Sequence, residues 1–213
     1  MNSSAFYVLL DLDGVIINTE DQYSEYWDCM ARRYLPHPEG FAARIKGQTT
    51  EMILSHYPQE LLPQLRKEYE YFETHMDYSY IRGAEEFLQH MHCCQVPMCV
   101  VTGSSKPKLN EVLLSHPEFH ELFRFIICGD DIKQGKPDPF CYLLAAERFQ
   151  TTPEKCVVVE DSVNGLRAGL NAQMHVVGLT TTHPREVVGP LCHMMVPDLS
   201  CCNEANLKNL ISC

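Results

Sequence analysis

The sequence predicts an α/β protein: a doubly wound, Rossmann-like parallel sheet carrying an inserted helical-bundle cap domain. Three observations predict it. Six short apolar runs rich in Val and Ile punctuate the chain, helical patterns separate most of them, and one interval of about 60 residues holds helical patterns alone. Strands buried on both faces read as continuous hydrophobic runs, and strand–helix alternation implies right-handed crossovers within a parallel sheet.

The first run, FYVLL (6–10), ends abruptly in Asp11, Leu12, Asp13 and Gly14. Beyond it, TEDQYSEYWDCMARRYL and PQELLPQLRKEYEYFETHM have helical periodicity, and EGFAARIK and TTEMILSHY read as shorter helices. No strand-like run lies between them. The expected organisation is therefore a core of residues 1–17 and 81–213, and a four-helix cap of residues 18–80. Tyr23, Tyr26 and Trp27, at i, i+3 and i+4, mark the apolar face of the first cap helix and are expected to pack within the cap. The α/β pattern resumes near Arg82. GAEEFLQHMHCC leads as a helix into the strand PMCVVT (97–102), and KPKLNEVLLS follows as a helix before FRFIIC (123–128). DPFCYLLAAERF then precedes CVVVED (156–161), and SVNGLRAGL precedes MHVVGL (174–179). The last strand is HMMVP (193–197), and SCCNEANLKNLISC closes the chain as a helix.

Composition narrows the function classes. The 213 residues are 45% hydrophobic, enough for a substantial core, and the net charge of −11 argues against a nucleic-acid footprint. No apolar run approaches the roughly 20 residues that span a bilayer, and the N-terminal stretch lacks the basic region of a signal peptide. Eleven cysteines are odd in number and scattered, without Cys-x-x-Cys spacing, so reduced thiols in a cytoplasmic protein are expected. A monomer is the default expectation at this size.

In a parallel α/β sheet, ligands bind beyond the carboxyl ends of the strands, near a topological switch point. The residues there are Asp11 to Gly14, Thr102 to Ser105, Gly129 to Asp131, and Glu160 to Ser162. Each segment alone has a structural explanation. An acidic pair ends many solvated strands, TGSS makes a loop and a helix cap, GKPDP a turn with Asp138 capping the next helix, and EDS an N-cap. Those explanations are independent of one another, whereas a phosphate site accounts for all four segments together.

Together, DLDGV, VVTGSS, GKPDP and VVVEDSVNGLRAG resemble, in order and over essentially the whole chain, the motifs of the haloacid dehalogenase superfamily. The likeness is nearest to the subfamily of β-phosphoglucomutase and small sugar-phosphate phosphatases, whose helical cap follows the first strand. The resemblance implies that Asp11 attacks phosphorus to give an aspartyl phosphate, and that Asp13 passes protons to the leaving oxygen and from the acceptor. It implies that Thr102, Gly103 and Ser104 hold the phosphate oxygens, and that Lys136 offers positive charge to them and to Asp11. Mg²⁺ is implied at Asp11, Asp161 and the Asp13 backbone carbonyl, with Glu160 as a ligand or as the partner of a bound water. Candidate substrate contacts in the cap are Thr19, Glu20, Tyr23, Lys46 and Gly47. The partner implied is a small phosphorylated metabolite, with neither nucleic acid nor membrane.

The acceptor of the phosphoryl group separates a phosphatase from a mutase. Lys46-Gly47 matches the mutase cap loop, but Thr50 stands where that loop has an Arg, and Tyr23 stands where mutases carry a His in the helix after the first motif. Gly103-Ser104-Ser105 follows Thr102 where the mutase has a Ser-Lys pair, and Lys106 stands one place later than that lysine. A second phosphate site is weakened, which favours hydrolysis of a sugar phosphate, with β-phosphoglucomutase as the alternative. A non-enzymatic, receiver-like phospho-acceptor domain also combines acids, Thr and Lys on such a sheet. Its acceptor Asp ends the third strand, where this chain reads ICGDD.

Overall fold

The computed structural model describes residues 6–45 and 50–212. Six parallel strands form one sheet: β1 (Tyr7–Leu10), β2 (Met98–Val101), β3 (Ile126–Ile127), β4 (Cys156–Glu160), β5 (His175–Leu179) and β6 (Met194–Val196). Their order is β3-β2-β1-β4-β5-β6, so the strand order reverses between β1 and β4. That is the switch point at which doubly wound sheets open a crevice. Every predicted strand is present, each trimmed at its ends and β3 most of all.

Contacts along the chain divide it into two compact units, Met1–Asn18 with Tyr78–Cys213, and Thr19–Asp77. The first unit holds the sheet. Leu9, Val158 and Val176 lie in register on one face and are fully buried with Tyr142, Ala145, Leu166 and Ala168. The last four belong to the helices Phe140–Arg148 and Val163–Asn171. Runs of Val and Ile make these strands because branched side chains fit a pleated surface covered on both sides. Ser105 caps Lys106–Ser115, and Ser162 caps Val163–Asn171 through a 3.0 Å bond from the Gly165 N–H. Sequence reading missed two short helices, Phe119–Leu122 and Arg185–Val188. At four residues each, they are too short to display a helical period.

The second unit contains the helices Glu20–Tyr34, Phe41–Ile45, Thr50–Leu54 and Leu62–Glu73. Its core is aromatic. Tyr26 stacks on Phe72 with ring centroids 4.2 Å apart, and Trp27 stacks on Tyr69 at 5.2 Å. Offset aromatic pairs of this kind add about 0.5–1.5 kcal/mol beyond their buried area. The expected packing of Tyr23, Tyr26 and Trp27 inside this unit is what the structure has. No helix among the described residues is long and apolar enough to cross a membrane, and the ten described cysteines are all free thiols.

Leu9 sits on the central strand with no exposed surface. Leu9→Ala should cost about 2–5 kcal/mol, read as a fall in the urea midpoint at unchanged slope. A loss below about 1 kcal/mol would mean that the sheet is not packed as described.

Candidate functional site

The site grows from the end of β1. Asp11 continues the strand by one residue, its N–H donating to Val159 O at 3.0 Å. The chain then turns back on itself: Leu12 O accepts from both Ile16 N–H and Ile17 N–H at 2.9 Å, and Gly14 N–H donates to Ile17 O at 3.0 Å. Gly14 has φ +76°, and a Cβ there would lie 1.9 Å from Asp161 Oδ2, so only glycine fits. This turn holds Asp11 and Asp13 at one strand end, beside the end of β4.

Lys136 joins the two strand ends. Its ammonium donates to Asp11 Oδ1 at 2.5 Å, Glu160 Oε1 at 2.6 Å and Val101 O at 3.0 Å. Glu160 has no exposed surface, and Asp11 and Asp161 are 8% and 2% exposed. Burial pushes the Asp11 carboxyl up to about 7, against the opposing pull of Lys136. Burial also works against charge on Lys136, but Asp11 and Glu160 together hold it well above its ordinary value. The lysine is therefore a fixed cation.

Glu160 is saturated. Oε1 accepts from Lys136 and from the Tyr142 hydroxyl at 2.9 Å, and Oε2 from Asp161 N–H, Ser162 N–H and Ser162 Oγ, each at 3.1 Å. Burial, and then Glu160, push the Tyr142 hydroxyl well above the usual phenol range, which keeps it a donor. Asp161 is held differently, accepting at Oδ2 from the Thr182 hydroxyl. Thr181 donates to Gly14 O at 2.6 Å.

Asp11, Glu160 and Asp161 each offer a carboxylate oxygen, all within 4.8 Å of one another. Three acids cluster in a buried space where Lys136 pairs with two of them, an all-oxygen set whose excess negative charge suits a hard divalent cation. The five donors on Glu160 occupy its lone pairs, which leaves Asp11 and Asp161 as the carboxylates with capacity to ligate.

Thr102 is 1% exposed and directly follows β2. Its Oγ1 accepts from Ser104 N–H at 3.0 Å, so its own hydroxyl hydrogen remains available to an anion. Ser104 does not present its hydroxyl as a phosphate donor here; Oγ donates to Asp13 Oδ2 at 2.7 Å. Asp13 Oδ1 accepts from Lys108 at 2.5 Å. The third strand end contributes only local structure. Asp131 Oδ2 accepts from Cys128 N–H at 3.1 Å, and Asp130 Oδ2 from Lys106 N–H at 2.9 Å.

The structure thus gathers Asp11, Asp13, Thr102, Ser104, Lys136, Glu160 and Asp161 at neighbouring strand ends within one unit. Of the expected cap contacts, Thr19 is buried, Glu20 begins its helix, and Tyr23 donates to Glu73 Oε1 at 2.9 Å in the second unit's aromatic core. Lys46 and Gly47 lie outside the described residues. Sequence reasoning missed Thr182, Tyr142 and Lys108. Thr182 follows the end of β5, where the rule that selected the other strand ends would have found it. A groove of about 1070 Å³, lined by Tyr7, Gln95 and Arg148 among others, opens at the opposite, amino ends of the strands.

Residues 8–179 match the family described as haloacid dehalogenase-like hydrolase. The chain is 31% identical over 187 residues to a probable pseudouridine-5'-phosphatase of Drosophila melanogaster, covering 80% of each protein. It is 29% identical to the bifunctional riboflavin kinase/FMN phosphatase of Arabidopsis thaliana, matching 81% of this chain but about half (48%) of that protein. A solved HAD hydrolase, family IA, variant 3, from Entamoeba histolytica shares the fold with a TM-score of 0.82 at 22% identity, covering 98% of this chain and 100% of that one.

Gly165 supplies a test of the site's packing. A Cβ there would lie 1.7 Å from Glu160 Oε1, a carboxylate pinned by five donors. In an exposed helix Gly→Ala stabilises by about 1 kcal/mol. Here Gly165→Ala should destabilise, lowering the thermal midpoint, and a crystal structure should show Glu160 displaced from Lys136. A raised midpoint with Glu160 in place would refute this account.

Proposed function

The chain belongs to the haloacid dehalogenase-like hydrolase family, and from that premise we propose that it is a Mg²⁺-dependent phosphatase of a small phosphorylated metabolite, a sugar phosphate being the best fit. The observation that carries this reading is the Lys136 ammonium held between Asp11 Oδ1 and Glu160 Oε1. Among the described residues Lys136 is the side chain that donates to Asp11, at Oδ1, which leaves Oδ2 as the attacking atom. The names of both relatives include a phosphatase activity, which agrees with this reading.

Asp11 Oδ2 attacks phosphorus, the bond to the ester oxygen breaks, and Asp13 gives that oxygen its proton. The substrate leaves as an alcohol, and Asp11 carries the phosphoryl group. Water then adds to phosphorus, Asp13 takes its proton, and the bond from phosphorus to Asp11 breaks to release phosphate. Throughout, the Thr102 hydroxyl and the Lys136 ammonium face the phosphate oxygens, where negative charge concentrates. A divalent cation held by Asp11 and Asp161 would supply the charge compensation that lets a phosphate dianion approach carboxylates. Glu160 holds Lys136 in place, and Thr182 orients Asp161. Charge neutralisation and fixed orientation are the principal means by which proteins accelerate phosphoryl transfer.

The purified protein should release p-nitrophenolate from p-nitrophenyl phosphate with Mg²⁺, lose that activity in EDTA and regain it on adding Mg²⁺. Asp11→Asn should lower turnover by at least about 10³-fold, the scale of a lost nucleophile. With a hexose 1-phosphate, free phosphate should appear stoichiometrically. An isomerised sugar phosphate without phosphate release would establish a mutase instead, and full activity of Asp11→Asn would remove Asp11 from its role.

A further inference from the structure

Lys108 is a buried cation that the mechanism above does not use. It is 1% exposed, in the first turn of the helix Lys106–Ser115, on the stripe it shares with Leu109 and Val112. Two costs attend it there. Burying an ammonium forfeits its hydration, and the amino end of a helix carries partial positive charge that disfavours a cation. A core position of this kind would ordinarily take Leu or Met, and replacing a buried ion pair by apolar groups is commonly neutral or stabilising. Its placement is better explained by what it touches. Lys108 Nζ donates to Asp13 Oδ1 at 2.5 Å, while Ser104 Oγ donates to Asp13 Oδ2 at 2.7 Å. Both carboxylate oxygens are thus gripped from the segment that follows Thr102.

We infer that Lys108 is a positioning residue, and that with Ser104 it sets the orientation of the Asp13 carboxyl for both proton transfers. The inference rests on the proposed phosphatase reading. Lys108 acts through Asp13 and not on the phosphate, so its removal should slow the steps that need a proton and spare the one that does not. An alkyl phosphate requires a proton on its leaving oxygen, whereas p-nitrophenolate departs without one. Hydrolysis of the aspartyl phosphate requires Asp13 whichever substrate formed it.

The test is Lys108→Met, close in length and apolar, measured by rapid mixing with p-nitrophenyl phosphate and in steady state with glycerol phosphate. With p-nitrophenyl phosphate, the variant should give a burst of about one p-nitrophenolate per enzyme at a rate within about threefold of the parent, then a steady state slowed about 10- to 100-fold. With glycerol phosphate, kcat should fall by a similar factor with no burst and with KM unchanged within about threefold. Ser104→Ala should give the same pattern more weakly. A crystal structure of Lys108→Met should show Asp13 turned from its place.

A burst amplitude reduced in proportion to the loss on both substrates would mark Lys108 as structural and overturn the inference. A raised KM with a slowed burst would assign it to phosphate binding, with the same consequence. Unchanged kinetics of the variant beside an active parent would overturn the inference alone. An inactive parent would overturn the phosphatase reading together with it.

Discussion

The structure depends on one ammonium group shared by two carboxylates at the ends of adjacent strands. β1 and β4 are neighbours at the place where the strand order reverses, so Asp11 and Glu160 meet at the point where the crevice opens. Two buried carboxylates cannot both stay ionised at such range without a cation, and Lys136 is that cation. The ammonium is itself fixed by Val101 O from β2 and lies 5.2 Å from the centre of the Tyr142 ring. Three strands and one loop are thereby tied to a single charge. Removing one partner of a buried pair typically costs about 3–5 kcal/mol, since it strands the other charge in a dry place.

The two lysines divide the work of the two aspartates. Lys136 binds Asp11 and Glu160, and the more deeply buried Lys108 binds Asp13, whose side chain is 22% exposed. Asp11, the proposed nucleophile, is consequently held from the sheet, and Asp13, the proposed proton carrier, from the helix that follows β2. Neighbouring residues on one turn thus take their orientation from separate parts of the core. In the proposed mechanism one carboxyl stays fixed while the other gains and loses a proton, and the tight glycine turn between β1 and Ile17 keeps the two together.

The strands were legible because buried parallel strands leave continuous runs of Val and Ile, and the strand-end rule then pointed to Asp11, Thr102 and Glu160-Asp161. Lys108 was not legible in that way. Sequence reading weighed Lys106 against a family pattern, although Lys108 occupies the stripe four residues before Val112 and is the one that turns inward. A charged residue on an apolar stripe was the available sign. Tyr142 gave no sign at all, because an aromatic residue between Cys141 and Ala145 on a core-facing helix reads as packing, and only the three-dimensional approach of β4 gives its hydroxyl a partner. The aspartates after β3 misdirected attention for the converse reason. Strand-end acids look alike in sequence, and the backbone they cap distinguishes them only once folded.

Structural explanations of these residues are compatible with the proposed catalytic ones, which bears on how such sites are built. Ser105 and Ser162 cap their helices, and Asp138 Oδ1 accepts from Phe140 N–H at 2.9 Å, as plain turn chemistry requires. Yet the Ser162 cap also delivers an N–H and a hydroxyl to Glu160 Oε2, so the device that starts a helix also fixes the carboxylate that holds Lys136. Gly165, in the first turn of that helix, is small because the carboxylate lies where a methyl group would go. The geometry of the site is therefore set by helix starts packed against strand ends, structures whose formation the fold demands in any case. Orientation obtained this way adds little to the entropy of folding, because the groups that aim the site are already ordered by the elements that carry them.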